Sequence, residues 1–133
     1  ECMMRGIDVV KPGAHFGDIG AVIAEYAHHY GYSVVDMFCG HGVGKVFHDE
    51  PNVMHIAKKG TGPIMEEGMF FTIEPMINIG TPDALILQDG WTSVTRDKSL
   101  SAQYEHSLGV TKDGYEIFTL SPKGLDKYPY QID

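Results

Sequence analysis

The spacing of apolar residues predicts one strong amphipathic helix near the start of the chain. Apolar positions recur three and four residues apart, as on the buried stripe of a surface helix. The stripe consists of Ile19, Val22, Ile23, Tyr26 and Ala27. We expect Asp18 to cap the start of this helix and Gly31 its end. Residues 1–10 are typical of the end of another helix, which the turn Lys11-Pro12-Gly13 stops.

The second half of the chain predicts strands. Residues 69–74 alternate between Gly68 and Pro75, and residues 103–110 and 115–120 flank an Asp-Gly pair typical of a hairpin. Short strands are also predicted at residues 32–35 and 91–95, whereas frequent glycine and proline predict loops over residues 36–63. We therefore expect a single α+β unit over residues 1–133, an antiparallel sheet with helices packed on one face.

Composition narrows the classes of function. The 133 residues suit one domain, and a net charge of −8 argues against a nucleic-acid-binding patch. No apolar stretch approaches the roughly 18 residues of a membrane span, and the first residues lack the apolar region of a signal peptide. The two cysteines, Cys2 and Cys39, make no disulfide framework and fit a reducing compartment.

The first candidate for chemistry is a histidine among glycines, in the segment Cys39-Gly40-His41-Gly42-Val43-Gly44. Neutral imidazole is a common metal ligand, and glycine lets a ligand approach the backbone closely. The alternative is a glycine-rich turn that carries a surface histidine. His48 follows seven residues later, either as a hydrogen-bond donor to a substrate or as an ordinary loop histidine.

Two glutamates, Glu74 and Glu105, lie next to apolar residues of predicted strands. Strand alternation places Glu74 on the face of Phe70 and Thr72, and a carboxylate that ends an apolar strand is costly unless paired, hydrogen-bonded or bound to a metal. The same alternation turns Glu105 away from the row of Tyr104, His106 and Leu108. The alternative for both glutamates is simple contact with water. His106 is expected to be a structural histidine, and no constellation is evident for His15, His28, His29 and His55.

Taken together, His41, Glu74 and Glu105 offer one imidazole and two carboxylates from three separate segments. Mixed nitrogen and oxygen ligands suit divalent Mn, Fe, Co or Zn, and carboxylates can bridge two ions in a hydrolytic site. Residue types and spacing alone indicate a metal site, and a hydrolytic one if it is catalytic.

The segments, in their order, resemble type I methionine aminopeptidases. The matching strings are Gly31-Tyr32-Ser33-Val34-Val35, Cys39-Gly40-His41-Gly42-Val43-Gly44, Phe47-His48-Asp49-Glu50-Pro51, Phe71-Thr72-Ile73-Glu74-Pro75-Met76, Asp89-Gly90-Trp91-Thr92 and Ser101-Ala102-Gln103-Tyr104-Glu105-His106. Each string alone is weakly specific, but the ordered set is highly specific. It covers most of residues 6–120, and residues 122–133 have no matching segment.

The resemblance implies half of a pita-bread fold, a cytoplasmic location and removal of the initiator methionine from nascent chains, in transient proximity to the ribosome. It implies two divalent ions, with His41, Glu74 and Glu105 as ligands and Glu105 bridging both ions. By the same resemblance, His48 contacts the scissile carbonyl or the residue beyond it, and Phe47 and Trp91 form part of the methionine pocket. Cys39 lies near the site without being a ligand. Glu74 is also a candidate general base.

The sequence departs from the family in lacking segments that match two further aspartate ligands and an upstream histidine. We therefore expect a C-terminal portion whose N-terminal half is absent, with three of five ligands and weak metal binding. Such a piece is expected to be inactive alone and to self-associate through exposed apolar sheet surface.

Two alternatives stay open at this point. One is a non-enzymatic pita-bread binding module, against which the intact set of His41, Glu74 and Glu105 argues. The other is a relative of creatinase or of proline peptidases, with the same metals and other substrates. The Trp91 segment and the short intervening loops favour the methionine enzyme.

Overall fold

The computed structural model describes residues 1–126, which form two helices and ten strands. These elements are α1 (Cys2–Asp8), α2 (Phe16–His29), β1 (Ser33–Val34), β2 (Gly40–Gly42), β3 (Asp49–Val53), β4 (Phe70–Ile73), β5 (Met76–Asn78), β6 (Ala84–Ile86), β7 (Ser93–Thr95), β8 (Ser101–Gln103), β9 (His106–Val110) and β10 (Tyr115–Ile117). Within these residues, neither helix is long and apolar enough to cross a membrane. Of the C-terminal segment 122–133, residues 127–133 lie outside the described part.

Every strand pair within residues 1–126 is antiparallel. The largest sheet has five strands in the order β10-β9-β4-β2-β3, a second has the order β1-β5-β8, and β6 and β7 form a separate hairpin. The predicted hairpin at Asp113-Gly114 is confirmed, since it joins β9 to β10. The strand predicted over residues 103–110 is divided, because β8 joins the second sheet and β9 the largest one.

Both helices pack on one face of the five-stranded sheet, as the α+β prediction required. The rings of Phe16 on α2 and Phe71 on β4 lie 4.8 Å apart at the centre of this contact. Fully burying each such side chain contributes about 1.5–3 kcal/mol. The core consists of Met3, Ile7, Val10, Phe16, Ile19, Ile23, Ala24, Ala27, Val34, Val53, Met65, Phe71, Ile73, Leu108 and Val110.

The ends of α2 correct one detail of the prediction. The N-cap is His15 rather than Asp18, and Asp18 caps from the third helical position by accepting the His15 amide at 2.9 Å. A second oxygen of Asp18 accepts the amide of Gly60 at 2.8 Å, and these bonds lower the pKa of Asp18. Gly31 follows the helix with a φ of +75°, as expected of a glycine after a C-cap.

The prediction of loops over residues 36–63 was wrong in part, because β2 and β3 lie inside this range. Glycine is uncommon in strands, so Gly40 and Gly42 indicated a turn rather than sheet. Here glycine is required by neighbouring backbone: a Cβ on Gly40 would lie 2.2 Å from the carbonyl oxygen of Thr72. A Cβ on Gly42 would lie 2.1 Å from the carbonyl oxygen of Glu50. Close strand packing therefore explains these glycines.

Candidate metal centre

His41 lies in the middle of β2 and is 8% exposed. The register between β2 and β3 shifts directly after it, an irregularity that redirects the strand and is common beside functional sites. Its Nδ1 donates to the Gly42 carbonyl at 3.0 Å, since a carbonyl can only accept. The other ring nitrogen, Nε2, is thereby turned toward the rest of the site. The alternative of a surface histidine on a glycine-rich turn was wrong.

Glu74 directly follows β4. Phe71 and Ile73 point into the core, so Thr72 and Glu74 lie on the opposite face of the sheet, where Thr72 is buried and Glu74 is half-buried. The Thr72 hydroxyl donates to Oε1 of Glu74 at 2.7 Å and accepts the His41 amide at 3.0 Å. Burial raises the pKa of Glu74 and the charge of Glu105 raises it further, whereas the Thr72 hydrogen bond opposes both.

The three predicted ligands meet on this face of the sheet. Nε2 of His41 lies 3.4 Å from Oε1 of Glu74, and one ligand atom each of His41, Glu74 and Glu105 lies within 4.8 Å of the others. Glu105 reaches the group from the exposed connection between β8 and β9. A lone pair on Nε2 would face a carboxylate here, which is unfavourable unless a proton or a cation lies between them. This donor set fits a divalent metal ion.

The rings of His48 and Phe47 lie beside the ring of His41. The ring centroids of His41 and His48 are 4.3 Å apart, and those of Phe47 and His48 are 4.5 Å apart. Phe47 is 69% exposed, so it forms an open apolar wall beside the imidazoles. Both residues belong to the connection between β2 and β3. The structure therefore brings the predicted carbonyl-contacting histidine and one predicted pocket residue to His41, one of the three predicted ligands.

Trp91, the other predicted pocket residue, behaves differently. It lies in the turn between β6 and β7, is 88% exposed, and among residues 1–126 makes no ring contact with His41 or His48. Asp89 fixes this turn by accepting the Thr92 hydroxyl at 2.6 Å and the amides of Trp91 and Thr92 at 3.0 and 2.9 Å. The hydroxyl bond, followed by the two amide bonds, lowers the pKa of Asp89.

Two further sequence expectations concern the row beside Glu105. His106 is 5% exposed and its Nδ1 shares a 2.8 Å hydrogen bond with the Thr119 hydroxyl, as expected of a structural histidine. Tyr104 does not join that row, because it is 73% exposed in the connection where alternation is broken.

Cys39 lies beside β2, where its thiol donates to Oδ1 of Asn52 at 3.6 Å, and both cysteines of the chain are free.

Sequence reasoning missed His55, to which no role was assigned. The ring is 2% exposed, and its Nε2 accepts the backbone amide of Glu74 at 3.1 Å. Burial lowers the pKa of His55 to about 4, so the ring is neutral near pH 7. No sequence signal marked this residue, because β3 ends at Val53 and His55 lies in a bend where strand alternation no longer applies.

Comparisons with known proteins agree with this geometry. Residues 1–112 match the model of metallopeptidase family M24. Methionine aminopeptidase of Rickettsia prowazekii is 60% identical over 131 residues, which are 98% of this chain and 51% of that protein. The chain spans about half the length of the curated relatives it matches.

Solved structures match the fold as well. The crystal structure of methionine aminopeptidase from Rickettsia prowazekii superposes with a TM-score of 0.88 at 59% identity, covering 90% of this chain and 48% of that one. Prolidase from Pyrococcus furiosus superposes with a TM-score of 0.67 at 23% identity, covering 90% and 30%, and so shares the fold alone. The predicted resemblance and the predicted fold class are both confirmed.

Proposed function

The chain belongs to metallopeptidase family M24, and from that membership we propose that its residues serve the removal of N-terminal methionine from peptides. The observation that carries the proposal is the convergence of His41, Glu74 and Glu105, in a chain 60% identical to a methionine aminopeptidase. We further propose that the substrates are nascent chains in the cytoplasm, met in transient proximity to the ribosome.

His41, Glu74 and Glu105 would hold divalent ions, two in number, of the type Mn, Fe, Co or Zn that mixed nitrogen and oxygen donors favour. When bound, the ions supply the Lewis acidity that makes a water molecule nucleophilic near neutral pH. Glu105, the exposed member of the group, is the proposed bridging ligand. A ligand group of three donors within residues 1–126 is expected to hold metal weakly by itself.

The remaining residues act on water and substrate. Glu74 takes the proton of the attacking water, a role suited by the position of its carboxylate beside the imidazole of His41. His48 donates a hydrogen bond to the oxygen of the scissile carbonyl, where negative charge develops during attack. Phe47 and Trp91 supply apolar surface for the unbranched thioether side chain of methionine.

The decisive experiment measures free methionine released from the peptide Met-Ala-Ser in the presence of Mn²⁺ or Co²⁺. The chain is assayed alone and fused to the part of the Rickettsia prowazekii enzyme that it does not match. We expect negligible release by the chain alone and release by the fusion that a chelator abolishes.

Variants of the fusion test the role proposed for each residue. Glu105→Gln and His48→Ala should each lower kcat strongly, by about 10²–10³-fold for the lost oxyanion contact of His48. Glu67→Gln, a change at an exposed glutamate, should leave kcat unchanged. Cleavage of Ala-Pro peptides in place of Met-Ala-Ser would instead support a prolidase-like specificity, and chelator-insensitive release would overturn the metal proposal.

A further inference from the structure

Side chains, rather than the sheet, hold the peptide group of Glu74. The last paired residue of β4 is Ile73, which lies opposite His106, so Glu74 falls just beyond the ladder. Its amide N–H donates to Nε2 of His55 at 3.1 Å, and its carbonyl oxygen accepts from Nε2 of Gln103 at 3.0 Å. Two side chains from distant parts of the chain thus replace the missing strand partner.

The His55 ring is a fixed acceptor. It is 2% exposed, and its segment lies directly against α2: a Cβ on Gly20 would come within 2.5 Å of the Met54 carbonyl oxygen and 2.9 Å of the Ala57 nitrogen. This close packing leaves the backbone on either side of His55 little room to move. Because Nε2 accepts a hydrogen bond, the ring proton is on Nδ1.

We propose that His55 is a positioning residue for metal binding, which fixes the Glu74 carboxylate through its backbone amide. The inference rests on the proposed role of Glu74 as a ligand. The backbone amide of Glu74 is held by His55, and its side-chain oxygen Oε1 accepts a hydrogen bond from the Thr72 hydroxyl at 2.7 Å. Held at both ends, the carboxylate stays 3.4 Å from Nε2 of His41.

Loss of the acceptor has a definite consequence for the site. Without it the Glu74 amide, in a partly buried position, lacks a partner, and the peptide group turns toward another acceptor. That rotation changes the direction of the Cα–Cβ bond and moves the carboxylate away from His41. Groups that orient metal ligands typically change metal affinity by about 10–100-fold when removed.

Titration of the 133-residue chain with Co²⁺, followed by visible absorption, tests the proposal. His55→Leu, which removes the acceptor, is expected to raise the dissociation constant about 10–100-fold and to alter the Co²⁺ absorption spectrum. His55→Gln can place a side-chain oxygen near the position of Nε2 and should restore most of the affinity. Ile23→Ala is the matched control, because it disturbs a buried residue of α2 that is remote in sequence from the ligands.

Each outcome decides the proposal. Thermal unfolding of each variant sets a temperature at which all are folded. If His55→Leu binds Co²⁺ as the wild type does, or if Ile23→Ala loses as much affinity, His55 is structural only. If the wild type binds Co²⁺ no better than His41→Ala does, the three residues hold no metal in this chain and the role of His55 in metal binding is overturned, whereas the assay of the fusion decides the metal proposal itself.

A measurement without metal tests the contact directly. Scalar coupling between the Glu74 amide nitrogen and Nε2 of His55, observed by ¹⁵N NMR, is expected across an N–H···N hydrogen bond. Its absence in the wild type would overturn the proposed contact.

Discussion

Thr72 and Glu74, two residues apart on the face of the sheet opposite the helices, are joined by a 2.7 Å hydrogen bond from hydroxyl to carboxylate. The same hydroxyl accepts the amide of His41 at 3.0 Å. Thr72 therefore couples two of the three proposed ligands without being one. It also explains why a carboxylate that burial makes costly stays close to an imidazole.

Thr72→Val tests this coupling. The substitution leaves the His41 amide without its acceptor and Glu74 without its donor, so we expect a loss of about 1–3 kcal/mol in the free energy of unfolding. The pKa of Glu74 should rise further, because the Thr72 hydrogen bond lowers it. Urea unfolding and NMR titration measure the two effects. Thr72→Ser keeps the hydroxyl and should preserve both the free energy of unfolding and the pKa of Glu74. Equal values of these two quantities in the two variants would argue against the coupling.

The glycines around His41 permit close strand contacts, and alanine should be destabilising at one and neutral at another. A Cβ on Gly40 would lie 2.2 Å from a backbone oxygen, so Gly40→Ala forces the strands apart, at a cost of about 1–3 kcal/mol or more. Gly44 is the matched control, because a Cβ there meets nothing within 4 Å. Gly44→Ala should change the unfolding free energy by less than about 0.5 kcal/mol. Urea unfolding of both variants would contradict this explanation if their losses were equal.

Acid should weaken the folded state through His55. Its pKa is about 4 when folded and near the ordinary 6.5 when unfolded, so the unfolded chain binds the proton more readily. The free energy of unfolding therefore falls as the pH drops from about 6.5 to about 4, by roughly 3 kcal/mol at most. His55→Gln should remove this component, whereas His28→Gln, at an exposed histidine, should not. Urea unfolding at pH 7 and pH 4.5, before metal is added, compares the three proteins.

Asp97, in the segment after β7, is hydrogen-bonded to the connection between β5 and β6. Its carboxylate accepts the amides of Thr81 and Ser99 at 2.8 and 2.9 Å, and these bonds lower its pKa to about 2. The stabilisation is present above the ordinary pKa of 3.8 and is lost as the pH falls through about 2. Asp97→Asn should speed hydrogen exchange at the amides of Thr81 and Ser99. Asp83→Asn, at another exposed aspartate, should leave both rates unchanged.

The face of the sheet opposite the helices also carries exposed apolar rings. Phe70 and Phe118 are 50% and 51% exposed, and their rings lie 5.7 Å apart over Gly109. We expect the chain to self-associate through this surface at micromolar concentration. Phe118→Lys should shift the population toward monomer in sedimentation velocity, whereas Leu125→Lys, at an exposed residue outside this pair, should not. A monomeric wild type would contradict the prediction.

Much of the candidate site could be predicted from the sequence, because its signals are local. The period of 3.6 residues from Ile19 to Ala27 specified α2, and the period of two residues set Thr72 and Glu74 opposite Phe71. The Asp-Gly pair specified the β9–β10 hairpin in the same way. Because these patterns depend on residues only a few positions apart, they can be recognised in the sequence without knowledge of the tertiary structure.

Other features required the tertiary structure, because they depend on partners far apart in the chain. β2 is a strand only because Thr72 and Glu50 supply neighbouring backbone that glycine alone can approach. Whether Tyr104 is buried was decided by the division between β8 and β9, which belong to different sheets. His55 gained its contact with Glu74 across 19 residues, through packing that no local pattern specifies. The sequence determined which residues could serve as ligands, and the fold decided what holds them in place.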